Sequence, residues 1–304
     1  MQPLPGFRDF LPADCARRNY IFAKWREVAR RYGFAEWDGP VLEPTELYTK
    51  KSGPEIVGQL FNFTDKGARE VAMRPELTPT LARVIAAHDR EFKKPLKWFS
   101  IPQCFRYEKQ QRGRLREHFQ FNADIIGETS LDADVEAIAL CIDLLRGFGF
   151  SANDVVVRVS DREFWIDFLR GQSVPEEKWQ ETLQIIDKSE REPREKTAAR
   201  LGPLADPVFE ILDGKGSSEK LVRLLNALGA RGLAEFVQID LGDRAGSGLL
   251  FRNRLRGVRS RRKTAGSCRR WPLRQPDWPA QRRRRFVTRH RFRHGRCGPG
   301  RIDR

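Results

Sequence analysis

Two apolar-rich, β-compatible runs, Lys97–Tyr107 and His118–Ile126, flank the charged string Glu108-Lys-Gln-Gln-Arg-Gly-Arg-Leu-Arg-Glu117. Runs of that kind favour extended backbone, and a polar connector with one glycine lets the chain reverse between them. The economical reading is two antiparallel strands joined by a long basic loop. Around this pair the periodicity changes repeatedly. Pro12–Tyr32 places Ile21, Phe22, Trp25, Val28, Ala29 and Tyr32 on one stripe of an amphipathic helix that Gly33 stops. Arg74–His88 reads as a helix begun at Pro75, and Val135–Leu145 as another ended by Gly147. A short helix is expected around Glu46–Lys50. Strands are expected at Gln59–Thr64, Glu70–Met73, Val155–Val159 and Phe236–Leu241. The fold class is therefore α+β, a mixed and mainly antiparallel sheet flanked by helices.

From Arg162 to about Leu228 the pattern is helical and polar, broken at Pro175, Pro193, Gly202-Pro203 and Gly214. This predicts an inserted helical subdomain over 162–230, after a core over 1–161 and before a return strand of that core over 231–242. A different composition begins at Asp243. Residues 243–304 carry 20 Arg, one Lys, three Asp, no Glu and no Tyr. Their net charge of +18 exceeds the +16 of the whole chain, which leaves 1–242 at −2. The basicity belongs to the tail, so it is no argument that the core binds nucleic acid. A segment of Arg, Gly and Pro cannot bury a core and is expected to be disordered.

Within the loop and its flanks, Arg106 and Glu108 alternate on one predicted strand and so share a face. Arg112, Arg114 and Arg116 crowd the loop. An arginine fork matches phosphate oxygens in a bidentate way and stabilises charge on a transferring phosphoryl group. A solvated charged hairpin is the bland alternative on composition alone.

The string Phe105-Arg-Tyr-Glu-Lys-Gln-Gln-Arg-Gly-Arg-Leu-Arg-Glu-His-Phe-Gln120 resembles motif 2 of class II aminoacyl-tRNA synthetases, specifically the histidyl enzymes. Gly6-Phe-Arg-Asp-Phe-Leu-Pro12 resembles that family's N-terminal Gly-Thr-Arg-Asp-x-x-Pro, and Met73-Arg-Pro-Glu-Leu-Thr78 its Arg-Pro-Glu-x-Thr. Phe34–Glu46, including Pro40, resembles motif 1, which builds the dimer interface in this class. The resemblance implies a class II catalytic core and a two-step reaction. Histidine attacks the α-phosphate of ATP, with Mg²⁺ present, and the histidyl-adenylate passes to tRNA(His). Carried over, it gives Arg106 the catalytic role of holding the α-phosphate and the histidine carboxylate. ATP binding falls to Arg106, Glu108, Arg114, His118 and Phe119. His118 stands where relatives carry a phenylalanine that stacks on adenine, with Phe119 as the substitute. Histidine binding falls to Glu76, Thr78, Arg106, Gln120 and Asp124. Glu76 and Thr78 would accept from the ammonium group. Gln120 and Asp124, an even number apart on a predicted strand, would line the same pocket. No metal ligand among the side chains is expected.

After Ile239-Asp-Leu-Gly242 the family continues with Arg-Gly-Leu-x-Tyr-Tyr-Thr-Gly, then Gly-Gly-Gly-Arg-Tyr-Asp, then motif 3. None of these stands in the sequence. Read one nucleotide later, with free choice of synonymous codons, Arg244–Arg252 can become Ala-Arg-Gly-Leu-Ala-Tyr-Tyr-Ser-Gly. Cys268–Trp278 can likewise become Ala-Gly-Gly-Gly-Arg-Tyr-Asp-Asn-Leu-Ile-Gly, and Thr288–Cys297 can become Pro-Ala-Ile-Gly-Phe-Ala-Met-Gly-Asp-Val. A frame slip near Gly242–Asp243 is the expectation. The chain as written is then expected to lack motif 3 and the anticodon-binding domain, and with them most of its activity.

Two alternatives remain open at this point. The first is a non-catalytic relative, the regulatory subunit of ATP phosphoribosyltransferase, although such relatives usually lose the motif 2 and ammonium-pocket residues retained here. The second takes Arg282–Arg285 and their surroundings as an RNA-binding arm. The five cysteines form no C-x-x-C pair, which favours reduced thiols and a cytoplasmic location. No apolar run is long enough for a bilayer, and the start shows no signal-peptide pattern.

Overall fold

The computed structural model describes residues 2–52, 54–107, 115–190, 192–241 and 258–259. All of them belong to one unit, Met1–Arg270; the second unit, Trp271–Arg304, lies outside the described residues. The predicted disorder of 243–304 therefore falls, apart from residues 258–259, where nothing is described.

The first helix, α1 (Pro12–Arg31), has proline in its first turn with Asp14, and Arg30 and Arg31 in its last. Both ends suit the helix dipole. Gly33, at φ +74°, turns the chain out of the helix. There follow β1 (Ala35–Glu36), β2 (Leu42–Pro44), α2 (Thr45–Ser52), a 3₁₀ turn over Pro54–Gln59, β3 (Asn62–Thr64) and β4 (Glu70–Met73). Strands β2, β4 and β3 form an antiparallel sheet with β4 in the middle. The predicted strand at Gln59–Thr64 is thus shortened at its start, because Gln59 ends the 3₁₀ turn.

Helix α3 (Thr78–His88) begins four residues later than the sequence pattern indicates. Residues ahead of it are held in extended pairing instead: the Arg74 N–H donates to the Val41 carbonyl and the Arg74 carbonyl accepts from Phe105 N–H. Proline at the start of the helix proper is Pro79, where the missing donor costs nothing.

The expected long hairpin is present, but each arm is broken. One arm is β5 (Leu96–Ser100) and β6 (Gln103–Phe105), and the other is β7 (Glu117–Phe119) and β8 (Asn122–Ile126). Strand β5 pairs antiparallel with β8, and β6 with β7. The break falls at Pro102, which has no N–H to give the ladder. Its carbonyl is used all the same, accepting from Gln120 N–H at 3.2 Å. Strand β1 runs parallel to β5 on its other side. Against this sheet pack α1 and α4 (Leu131–Arg146), through Val28, Ala29, Phe34, Phe99 and Leu140.

Beyond α4 comes β9 (Val156–Val159), then α5 (Arg162–Gly171), α6 (Glu176–Lys188), α7 (Arg194–Leu201), α8 (Ala205–Glu210) and α9 (Glu219–Gly229). Pro175 and Pro193 cap α6 and α7, and Gly214 at φ +98° closes the turn before α9, each where the sequence pattern breaks. Strand β10 (Val237–Ile239) returns parallel to β9, and β11 (Val258–Arg259) lies antiparallel on its other edge. The helical segment shares one apolar core with α4 and β9: Ile138 and Ile142 meet Val157, Trp165, Leu169, Leu221, Leu224 and Leu228. Two side chains bind its ends together. Buried Asp161 caps α5 through Glu163 N–H and accepts from Ser218 Oγ, which itself caps α9. The indole N–H of fully buried Trp165 donates to the Leu241 carbonyl at 2.8 Å. No described helix is long and apolar enough to cross a membrane.

Candidate active site

In the β6–β7 ladder, Gln103 faces Phe119, Cys104 faces His118, and Phe105 faces Glu117. Alternation therefore sends Gln103, Phe105, Glu117 and Phe119 to one side and Cys104 and His118 to the other. The two sides have different chemistry. On the first, Phe10 and Phe22 meet Phe119 edge-on and the Arg18 guanidinium lies over the same ring. Phe119, expected as a substitute for adenine stacking, already has aromatic partners here. His118 is half-buried on the opposite side.

That opposite side gathers charge. Arg106 follows β6 and stays in register, its N–H donating to the Arg116 carbonyl at 2.8 Å. Its Nε donates to the carbonyl of Pro75 at 3.2 Å, which brings the guanidinium to the residue preceding Glu76. Glu76 and Thr78 are half-buried at the entry to α3. Cys104 reports the field between these groups. Burial pushes its thiol up to about 11, while Arg74 and Arg106 pull downward and Glu76 and Asp38 push upward. The expected anion-binding Arg106 and ammonium-accepting Glu76 thus surround one buried strand residue.

Arg74 was assigned no role from sequence, yet it organises this corner. Its side chain is almost wholly buried, and it donates through Nη1 to Asp38 Oδ1 at 2.6 Å and the Gly39 carbonyl at 2.8 Å. Its Nε donates to the Gln103 carbonyl at 2.9 Å. One guanidinium so ties the segment before β2 to the hairpin. Gly39 could carry no side chain, since a Cβ would stand 2.6 Å from the Thr80 methyl.

Gln120 lies in the gap between β7 and β8, not on a continuous strand. Alternation therefore does not relate it to Asp124. The connection runs through Asn122 instead: Gln120 Nε2 donates to Asn122 Oδ1 at 3.1 Å, and Asn122 and Asp124 share a face of β8. Asp124, opposite Trp98, is half-buried, and burial raises its carboxyl to about 6. Glu108, Arg112 and Arg114 lie outside the described residues. Among the described residues no three His, Cys, Asp or Glu side chains gather as a metal cage.

Glu117, also unassigned from sequence, is buried and accepts from Arg8 and from Gln103. The sequence marks neither: Arg74 stands between Met73 and Pro75, and Glu117 between Arg116 and His118 at the end of a charged run, and each finds its partners only through tertiary approach.

The fold has solved counterparts. A histidyl-tRNA synthetase from Nostoc aligns with TM-score 0.69 at 20% identity, covering 81% of this chain and 62% of that one. A Bacillus halodurans protein described as an ATP phosphoribosyltransferase regulatory subunit/histidyl-tRNA synthetase gives TM-score 0.69 at 20% identity, covering 79% and 68%. At such identity the likeness speaks for the fold alone. The architecture is an α+β core of the class II aminoacyl-tRNA synthetase type.

Sequence comparison narrows the class. The histidyl-tRNA synthetase family model matches residues 6–245. Histidine–tRNA ligase of Opitutus terrae is 44% identical over 266 residues, covering 79% of this chain and 61% of that protein. The chloroplastic/mitochondrial histidine–tRNA ligase of Arabidopsis thaliana is 38% identical over 259 residues, covering 79% and 53%. The chain belongs to the histidyl-tRNA synthetase family. It spans less than two thirds of the length of these curated relatives.

Proposed function

We propose that residues 6–242 form the histidine-activating core of a histidine–tRNA ligase. In this reading the chain takes histidine, ATP and tRNA(His) as substrates and works in the cytoplasm. The observation that carries it is the Arg106 guanidinium resting on the Pro75 carbonyl, beside Glu76. A cation for a carboxylate and an α-phosphate then stands next to an acceptor for an ammonium group, as joining an amino acid to a nucleotide requires. Arg106 holds the two reacting anions together and stabilises charge developing on the phosphate. Glu76 and Thr78 accept from the ammonium group, and Gln120 and Asp124 receive the imidazole end. Glu108, Arg114 and His118 complete the ATP site, whereas Phe119 faces the other side of the ladder against Phe10 and Phe22. Mg²⁺, which keeps several waters and binds largely through phosphates, would arrive with ATP. The retention of Arg106, Glu76, Thr78 and Gln120 favours this over a regulatory subunit of ATP phosphoribosyltransferase. Homodimerisation through motif 1 is part of the same proposal. Val41 and Leu42 of that segment and Phe63 of β3 leave apolar surface exposed.

The division into a core over 1–161, a helical insertion over 162–230 and a return strand over 231–242 is proposed on the same footing. Residues 243–304 are proposed to be the family's continuation read out of frame, which the end of the family match at residue 245 supports. The test is ATP–pyrophosphate exchange driven by histidine, on this chain and on one with the frame restored after Gly242. The restored chain should exchange, and Arg106→Ala and Glu76→Gln should each lower its rate at least ~10²-fold. The chain as written should fall at least ~10³-fold below it. Equal exchange by both chains overturns the frame reading. Unimpaired Arg106→Ala and Glu76→Gln variants overturn the assignment of the site.

A further inference from the structure

The side of the hairpin turned away from Cys104 holds the Glu117 carboxylate at 4% exposure. A buried carboxylate persists where donors replace its lost hydration. Oε1 accepts from the Arg8 backbone N–H at 3.0 Å and from Arg8 Nε at 3.3 Å, and Oε2 accepts from Gln103 Nε2 at 2.7 Å. One oxygen is thus held by the N-terminal segment and the other by the facing strand. The same segment makes three further contacts with the hairpin. The Gly6 carbonyl accepts from Arg116 N–H at 2.9 Å, the Phe7 ring stacks on Phe105 at 6.2 Å, and Phe10 meets Phe119 edge-on at 6.0 Å. Gly6 sits at φ +89°, and a Cβ there would stand 2.8 Å from Arg116 Cγ, so this approach requires glycine. The Arg116 carbonyl in turn accepts from Arg106 N–H. Two consecutive backbone hydrogen bonds, both made by residue 116, therefore run from Gly6 to Arg106.

We infer that residues 6–10 are a strap that sets the position of the hairpin, with Arg8 and Glu117 as positioning residues for the Arg106 guanidinium. Neither touches substrate; both act through the backbone at residue 116. The consequence for nucleotide binding rests on the role proposed above for Arg106, whereas the mechanical part does not.

The test uses the full chain and the variants Arg8→Ala, Arg8→Lys, Glu117→Gln, Arg8→Ala/Glu117→Gln and Gly6→Ala. Calorimetry reads Mg²⁺–ATP and histidine binding separately, and hydrogen exchange reads the amides of Arg106 and Arg116 against those of α4. Arg8→Ala, Glu117→Gln and Gly6→Ala should each weaken ATP binding about 10-fold, with histidine binding changed less than about 3-fold. The double variant should be no worse than Glu117→Gln, and Arg8→Lys should recover most of the loss, since it restores a side-chain cation to Glu117. Exchange at Arg106 and Arg116 should rise about 10-fold while α4 is unchanged. Uniformly faster exchange that includes α4 would reduce the strap to general stability and overturn the inference, as would unchanged ATP binding with unchanged exchange. If the parent chain binds no ATP, the same variants are read in the chain with the frame restored after Gly242; no ATP binding there overturns the functional reading, and the exchange pattern alone then decides for or against the strap.

Discussion

Asp124 lets the stability of the fold and the histidine binding proposed above be tested with one substitution. Burial lifts its carboxyl from the ordinary 3.8 to about 6. Each unit corresponds to about 1.4 kcal/mol, so the shift sets a ceiling near ~3 kcal/mol, and partial solvent access brings the expectation to about 2 kcal/mol. The folded-state value lies above the unfolded one, so the acid's stabilising contribution is complete below about pH 4. It fades as pH rises and is gone above about pH 6. Asp124→Asn cannot ionise. Its stability relative to the parent should therefore climb by about 2 kcal/mol between pH 3.5 and pH 7.5. Urea unfolding across that range measures the difference, and any constant penalty from the amide cancels in the slope. A difference that stays flat to within about 0.5 kcal/mol would refute the reasoning. The same substitution should weaken histidine binding at neutral pH, where a carboxylate can accept from the imidazole. The variant then gains stability where it loses ligand.

Two further outcomes follow from the packing. Arg74→Ala leaves the Gly39 and Gln103 carbonyls without their buried donor and should cost about 3–5 kcal/mol in urea unfolding. Arg74→Lys should recover only part of it, because an ammonium cannot fork across three acceptors; a loss under about 1 kcal/mol for the alanine variant would contradict the picture. Trp165→Phe removes the indole donor to the Leu241 carbonyl and opens a small void. It should lower stability by about 2–3 kcal/mol, read as a fall in Tm by calorimetry.

Much of this was legible because the signals are local. Pro175, Pro193 and Gly214 cap or end helices by their own backbone chemistry, so the helical segment could be parsed without its partners. The hairpin showed through its composition. What could not be read was where the ladder breaks, since Pro102 sits among apolar residues that favour extended backbone. The premise relating Gln120 to Asp124 failed at that break, and the Asn122 amide that accepts from Gln120 has no pattern to announce it. Arg74 illustrates a second limit: beside a proline and before a helix it resembled a first-turn residue, but its neighbours in space are Asp38 and Gln103. Such pairings depend on tertiary approach, which periodicity does not record. The roles of Arg106, Glu76 and Thr78 came from resemblance to a family, and what the structure adds is that the Arg106 side chain reaches the Pro75 carbonyl next to Glu76.

The bond between the Trp165 indole and the Leu241 carbonyl has a consequence for synthesis on the ribosome. Every described side chain of the large apolar cluster lies between Tyr32 and Leu241. Once residue 241 has cleared the exit tunnel, all of these described side chains are available to pack together, whatever codons come next. Damage to the message just downstream would then remove chemistry while sparing compaction, and the product would meet cellular quality control as a folded body with an altered end.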